Sequence, residues 1–114
     1  MSYAVIPITP AGDTCVFSKC LMHTPDWISF TQDTQLTLTR NGTYLIYYYA
    51  FSDDVYLSMS ILLNGREIDT TYDLGYEICA GAVSIVYNAP QTVALKNYSN
   101  PQVTFPGFLM IAKF

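Results

Sequence analysis

The chain has 114 residues, enough for one domain with a substantial apolar core and no need of metal or disulfide staples. Hydrophobic residues make up 51% and charged residues only 12%, which excludes disorder and is little charge for a monomer that must stay dispersed. Net charge is -4, and the five basic residues (Lys19, Arg40, Arg66, Lys96, Lys113) are scattered singly, so no basic patch exists to neutralise phosphates and nucleic acid is excluded as a partner.

Residues 3–9 alternate weakly and are broken by Pro7 and by Pro10 just beyond, which fits an edge or entry strand, because proline cannot donate to a central ladder. This N-terminus lacks the basic start and long apolar core of a signal peptide. Ala11-Gly12-Asp13 turns the chain into a second strand over 14–22, closed by Thr24-Pro25-Asp26. Residues 27–30 form a short third strand with Trp27 as a core filler. Residues 34–40 alternate cleanly, Leu36 and Leu38 inward and the threonines outward. Asn41-Gly42, the strongest short-range hairpin signal, leads into the central strand, which runs to Phe51.

Residues 55–63 then place Leu57, Met59, Ile61 and Leu63 on one face and Tyr56, Ser58 and Ser60 on the other, before Asn64-Gly65 turns the chain back. Residues 66–72 are a polar return strand, followed by a loop around Asp73-Leu74-Gly75. Residues 77–87 are apolar on both faces with small residues in the middle. After Asn88-Ala89-Pro90, residues 91–97 send Val93 and Leu95 inward. Tyr98-Ser99-Asn100-Pro101 turns again, and residues 103–114 close the chain, apolar on both sides from 108 to 112. No 3.6-residue apolar period runs for three turns, and no apolar run is long enough for a membrane helix. The chain is therefore all-β, one domain over residues 1–114, a sandwich or barrel of short strands.

The central strand sets the main problem. Tyr44, Ile46, Tyr48 and Ala50 point one way, while Leu45, Tyr47, Tyr49 and Phe51 point the other. A strand apolar on both sides must be covered on both. Helices on the far side of a parallel sheet are ruled out by the absence of crossover helices, and membrane insertion by the absence of a span. The remaining cover is another copy of the chain.

Three landmarks in register support this. Gly42-x-Tyr44-x-Ile46-x-Tyr48, Leu63-Asn64-Gly65 at a hairpin, and Phe105-x-Gly107-Phe108-Leu109 opening the last strand resemble the domain shared by complement C1q and tumour necrosis factor. The resemblance implies a ten-strand antiparallel jelly roll that assembles as a homotrimer. It implies a trimer interface of Leu45, Tyr47, Tyr49 and Phe51 from the central strand and Phe105, Leu109 and Ile111 from the terminal segment. The Gly-Asp pair of many relatives is replaced by Asn88-Ala89-Pro90-Gln91, and no Gly-X-Y collagen repeat is present. The low charge and Thr/Tyr/Asn-rich surface look like the bacterial branch, such as the heads of collagen-like exosporium glycoproteins. The expected role is a non-enzymatic trimerising head of a surface or spore-coat protein, extracellular or at the cell or spore surface, presenting outer loops to a carbohydrate or protein ligand. A jelly-roll carbohydrate-binding or phage receptor-binding module is the alternative.

Little in the chain suggests chemistry. His23 is the only histidine, and it sits beside Thr24-Pro25 in an expected loop; there is no phosphate loop, zinc spacing or nucleophile elbow. Asp53-Asp54 could offer oxygens to calcium, which some relatives bind, although adjacent acids in a loop are usually just solvated; no cofactor is otherwise expected. Cys15, Cys20 and Cys79 fit no ligand spacing and are expected as buried free thiols. The Tyr47-Tyr48-Tyr49 cluster suits an oligomer seam, or else an aromatic platform for a sugar.

Overall fold

Alternating apolar residues and tight turns divide the chain into ten strands: β1 (Ser2–Ala11), β2 (Thr14–Phe17), β3 (Ile28–Gln32), β4 (Gln35–Leu38), β5 (Gly42–Phe51), β6 (Met59–Leu63), β7 (Arg66–Thr70), β8 (Glu77–Val86), β9 (Gln91–Asn97) and β10 (Gly107–Lys113). The structure is a computed structural model describing residues 1–18, 24–70, 75–99 and 105–114. Every ladder is antiparallel. One layer has the order β1-β10-β5-β8. The other centres on β9, which pairs with β4 and β2 on one flank and with β6 on the other, β3 and β7 lying outermost.

β1 joins the two layers. Its residues from Ser2 to Ile8 pair with β10, and those from Ile8 to Ala11 pair with β2. Pro7 and Pro10 therefore each sit where only one neighbouring ladder exists, the condition under which a strand tolerates proline. Gly12, at φ +72°, makes the tight return into β2.

The two Asn-Gly dipeptides behave differently. Asn64 and Gly65 adopt φ of 52° and 82° and close the β6–β7 hairpin with Leu63 opposite Arg66, as expected. Asn41-Gly42 does not close a hairpin. β4 pairs with β3 and β9, while β5 pairs with β10 and β8, so this dipeptide carries the chain from one layer to the other. Burial explains the difference: Leu36 and Leu38 must face Tyr44, Ile46 and Tyr48 across the sandwich, which pairing the two strands side by side would prevent. The Asn41 carboxamide oxygen accepts the Ala89 amide at 2.8 Å and ties the corner to the β8–β9 turn.

The core lies between the layers and includes Ile6, Ile8, Phe17, Trp27, Leu36, Leu38, Tyr44, Ile46, Tyr48, Leu57, Met59, Ile61, Val93 and Leu95. Two tyrosines are fully enclosed and both find acceptors. Tyr48 donates to the Met59 carbonyl at 3.0 Å across the sandwich, and Tyr44 donates to the Arg40 carbonyl at 2.6 Å. Thr37, expected outward with the other threonines, is buried and shares a 3.3 Å hydrogen bond with Thr31. Cys15 is a buried free thiol, as expected, and burial pushes its pKa up to about 12. Cys79 differs from expectation: it is exposed, because it falls on the outward side of β8. Cys20, His23, the end of the expected 14–22 strand, Asp73 and Leu74 lie outside the described residues.

Gly107 opens β10 opposite Ala50, and a Cβ there would stand 2.6 Å from the Tyr49 carbonyl and 3.2 Å from the Ile8 side chain. Backbone must move to admit it. Gly107→Ala is expected to lower unfolding free energy by about 1–3 kcal/mol, the range of overpacked sites, read from the urea midpoint at unchanged m.

Candidate functional site

The period of two along β5 buries Tyr44, Ile46, Tyr48 and Ala50 completely and leaves Thr43, Leu45, Tyr47, Tyr49 and Phe51 on the outer side. Side chains opposite one another in an antiparallel ladder share a face, so the pairings define what surrounds them. Leu45 lies between Ala112 and Val83, Tyr47 between Met110 and Gly81, and Tyr49 between Phe108 and Cys79. Beyond β10, Tyr3 lies opposite Ala112, Val5 opposite Met110, and Pro7 opposite Phe108. Ile85, opposite Thr43, extends the patch along β8.

The result is an apolar face across all four strands of the layer. Several of its members are unusually open for their type: Val83 is 67% exposed, Tyr3 61%, Ile85 56% and Val5 44%. Aromatic rings stiffen the centre, with Tyr49 stacked on Phe108 at 5.6 Å and 24°, and Tyr47 tilted against Phe108 at 6.2 Å.

The centre of this face makes a polar contact within the subunit. The Tyr49 hydroxyl donates to a Glu77 carboxylate oxygen at 3.1 Å. Desolvation first, then this bond and the carboxylate's charge, raises the Tyr49 phenol pKa. The Tyr47 phenol is raised chiefly by its hydrogen bond with the Cys79 thiol, and then by desolvation. Both rings are neutral at physiological pH.

The expected interface residues separate into two groups. Leu45, Tyr47, Tyr49 and Phe51 lie on the outer face. Phe105, Leu109 and Ile111 do not: they are 4%, 0% and 0% exposed and belong to the core. Leu109 is in register with Ile6 and Tyr48, and Ile111 with Ala4 and Ile46, all inward residues. The outward residues of β10 are Phe108, Met110 and Ala112, one position out of step with the expectation. Both parities of β10 are apolar in sequence, so alternation could not choose between them. Phe108 and Met110 were missed for that reason. Tyr3 and Val5 were missed because β1 alternates weakly in sequence, and Val83 and Ile85 because β8, like β10, is apolar on both faces.

Asp53 and Asp54 are exposed in the loop after β5, where the Ser52 hydroxyl accepts the amides of Asp54 and Val55 at 3.3 and 3.4 Å. Among the described residues, no group of three or more His, Cys, Asp or Glu side chains converges as a metal site would require.

Neither a protein-family model nor a curated protein matches the sequence. Solved structures do match. Rabbit GITRL aligns at 18% identity with a TM-score of 0.64, over 96% of this chain and 93% of its own. Pika GITRL aligns at 20% identity and a TM-score of 0.64, over 97% and 96%. Murine APRIL, crystallised at pH 5.0, aligns at 16% identity and a TM-score of 0.54, over 99% and 100%. These neighbours are TNF-like jelly-roll domains, and the present chain has that all-β, ten-stranded antiparallel jelly-roll fold.

Proposed function

We propose that the outer face of the β1-β10-β5-β8 layer is the contact surface of a homotrimer, and that the chain is a non-enzymatic, single-domain trimerising head. The observation that carries this reading is the continuous, uncovered apolar patch of Val5, Leu45, Tyr47, Tyr49, Phe108, Met110 and Val83. Burying a fully exposed side chain of this kind contributes about 1.5–3 kcal/mol, and the half-buried members of the patch contribute less each; an aromatic-rich, charge-poor centre is the composition of stable interfaces. The Tyr49–Glu77 hydrogen bond within the subunit lowers the desolvation cost of closing the face. The TNF-like neighbours support the same arrangement. A setting in a collagen-like surface or spore-coat protein, extracellular or at the cell or spore surface, rests on the sequence resemblance alone.

Sedimentation equilibrium tests the assembly directly: a mass three times that of the chain at micromolar concentration is expected, and a stable monomer would refute it. Cys79 provides a second readout. It is exposed in the isolated subunit beside Tyr49, so the trimer should shield it from a thiol-alkylating reagent. Peptide-resolved mass spectrometry should show slow labelling of Cys79 in the assembled protein and fast labelling once the trimer is dissociated. Cys15 should stay unlabelled in both, since its raised pKa leaves almost no thiolate. Equal Cys79 labelling in both states would place the contact elsewhere.

A further inference from the structure

Where β5 ends and β8 begins, two tyrosines meet across adjacent loops. Tyr56 lies in the connection from β5 to β6, and Tyr76 directly precedes β8. They are 54% and 50% exposed, with ring centroids 4.8 Å apart and planes inclined at 59°. The backbone fixes this arrangement: the Ser52 amide donates to the Tyr76 carbonyl and the Leu57 amide to the Gly75 carbonyl, both at 2.8 Å. These bonds hold the two main-chain segments together, and each ring retains aromatic surface open to solvent.

The charges that flank the pair in sequence have one sign. Asp53 and Asp54 are exposed in the same loop as Tyr56, and Glu77 follows Tyr76. No lysine or arginine occurs in residues 41–65 or 75–95. Elsewhere the chain places its own ammonium groups over tyrosines, Lys96 at 5.0 Å from the Tyr98 ring and Lys113 at 6.0 Å from Tyr44. Among the described residues, none does so at Tyr56 or Tyr76. Open ring faces with negative quadrupoles, set beside carboxylates, attract a cation and repel an anion.

From this geometry we infer that Tyr56 and Tyr76, with Asp53 and Asp54, form a binding site for an organic cation, an alkylammonium or guanidinium group. All four residues belong to one subunit, so the site needs no residue of a second copy.

The test is an NMR titration of the full chain with choline, Nα-acetyl-lysine methylamide and Nα-acetyl-arginine methylamide. The neutral choline isostere 3,3-dimethylbutanol and N-acetylglucosamine serve as comparison ligands. At least one cation should shift the Tyr56 and Tyr76 ring resonances, bind more tightly than the neutral isostere, and weaken as salt rises from about 0.05 to about 0.5 M. Tyr56→Ala and Tyr76→Ala should each weaken it by about two- to fivefold, the contribution of one exposed ring, while Phe at either position retains it. Asp53→Asn with Asp54→Asn should flatten the salt dependence. Preference for choline would indicate a quaternary ammonium source, and preference for the lysine or arginine derivative a basic polypeptide; either supports the site. The inference is overturned if no cation shifts these rings, if the neutral isostere binds equally well, or if the sugar occupies the pair in place of the cations. These residues are exposed, so an unchanged melting temperature verifies that each variant is folded.

Discussion

Tyr47→Asp is expected to abolish the proposed trimer while leaving the subunit's secondary structure intact, yielding a monomer or an aggregate of its exposed faces. Tyr47 sits at the centre of the outer face, between Met110 and Gly81 and beside Phe108, with its side chain only partly covered by its own subunit. Within a folded subunit an aspartate there remains hydrated and costs little. In the proposed trimer, threefold symmetry would bring three carboxylates together in an apolar seam with no cation among the residues paired around them. Burying each unpaired charge costs several kcal/mol, and a loss of even about 4 kcal/mol weakens association roughly a thousandfold. Light scattering reads the mass, circular dichroism the fold, and Cys79 alkylation the exposure of the face. An intact trimer from this variant would mean that the sheet face is not the contact. Tyr47→Phe is the informative companion: it removes the hydroxyl and keeps the ring, so assembly should survive with a modest loss.

Much of the fold could be read from the sequence because β-structure announces itself through a short period and its turn residues. The strand over Gly42–Phe51, the β6–β7 hairpin at Asn64-Gly65, and the inward Val93 and Leu95 all follow from local pattern. What could not be read locally was which strands pair. Asn41-Gly42 has the composition of a hairpin turn, yet burial of Leu36, Leu38, Tyr44, Ile46 and Tyr48 in one core forces it to bridge two layers. The same limit affected the candidate site. Alternation identifies two faces of a strand but names neither as interior when both are apolar. β5 came out with the expected parity and β10 with the opposite one. The register of β10 against its neighbours, Met110 opposite both Val5 and Tyr47, settles the question, and register is a property of the assembled sheet.

That difference of one position yields the second large effect. Leu109→Asp and Met110→Asp introduce the same charge at adjacent residues of β10 and should fail in opposite ways. Leu109 is fully buried, in register with Ile6 and Tyr48, and a carboxylate there has no cationic partner among its ladder neighbours. Its burial removes both the leucine's own contribution and several kcal/mol for the unpaired charge, comparable with the entire stability of a domain of this size, about 5–15 kcal/mol. This variant should lack the cooperative thermal transition and the native circular dichroism spectrum. Met110 faces outward, so Met110→Asp should melt cooperatively close to the isolated subunit and lose only the trimer. The pair separates folding from assembly along a single strand. If Met110→Asp unfolds the chain while Leu109→Asp merely dissociates it, the register of β10 is shifted by one residue and the interface reverts to Leu109 and Ile111. If both variants form stable trimers, neither side of β10 is buried by association, and the apolar face must be covered by something other than a second and third copy of the chain.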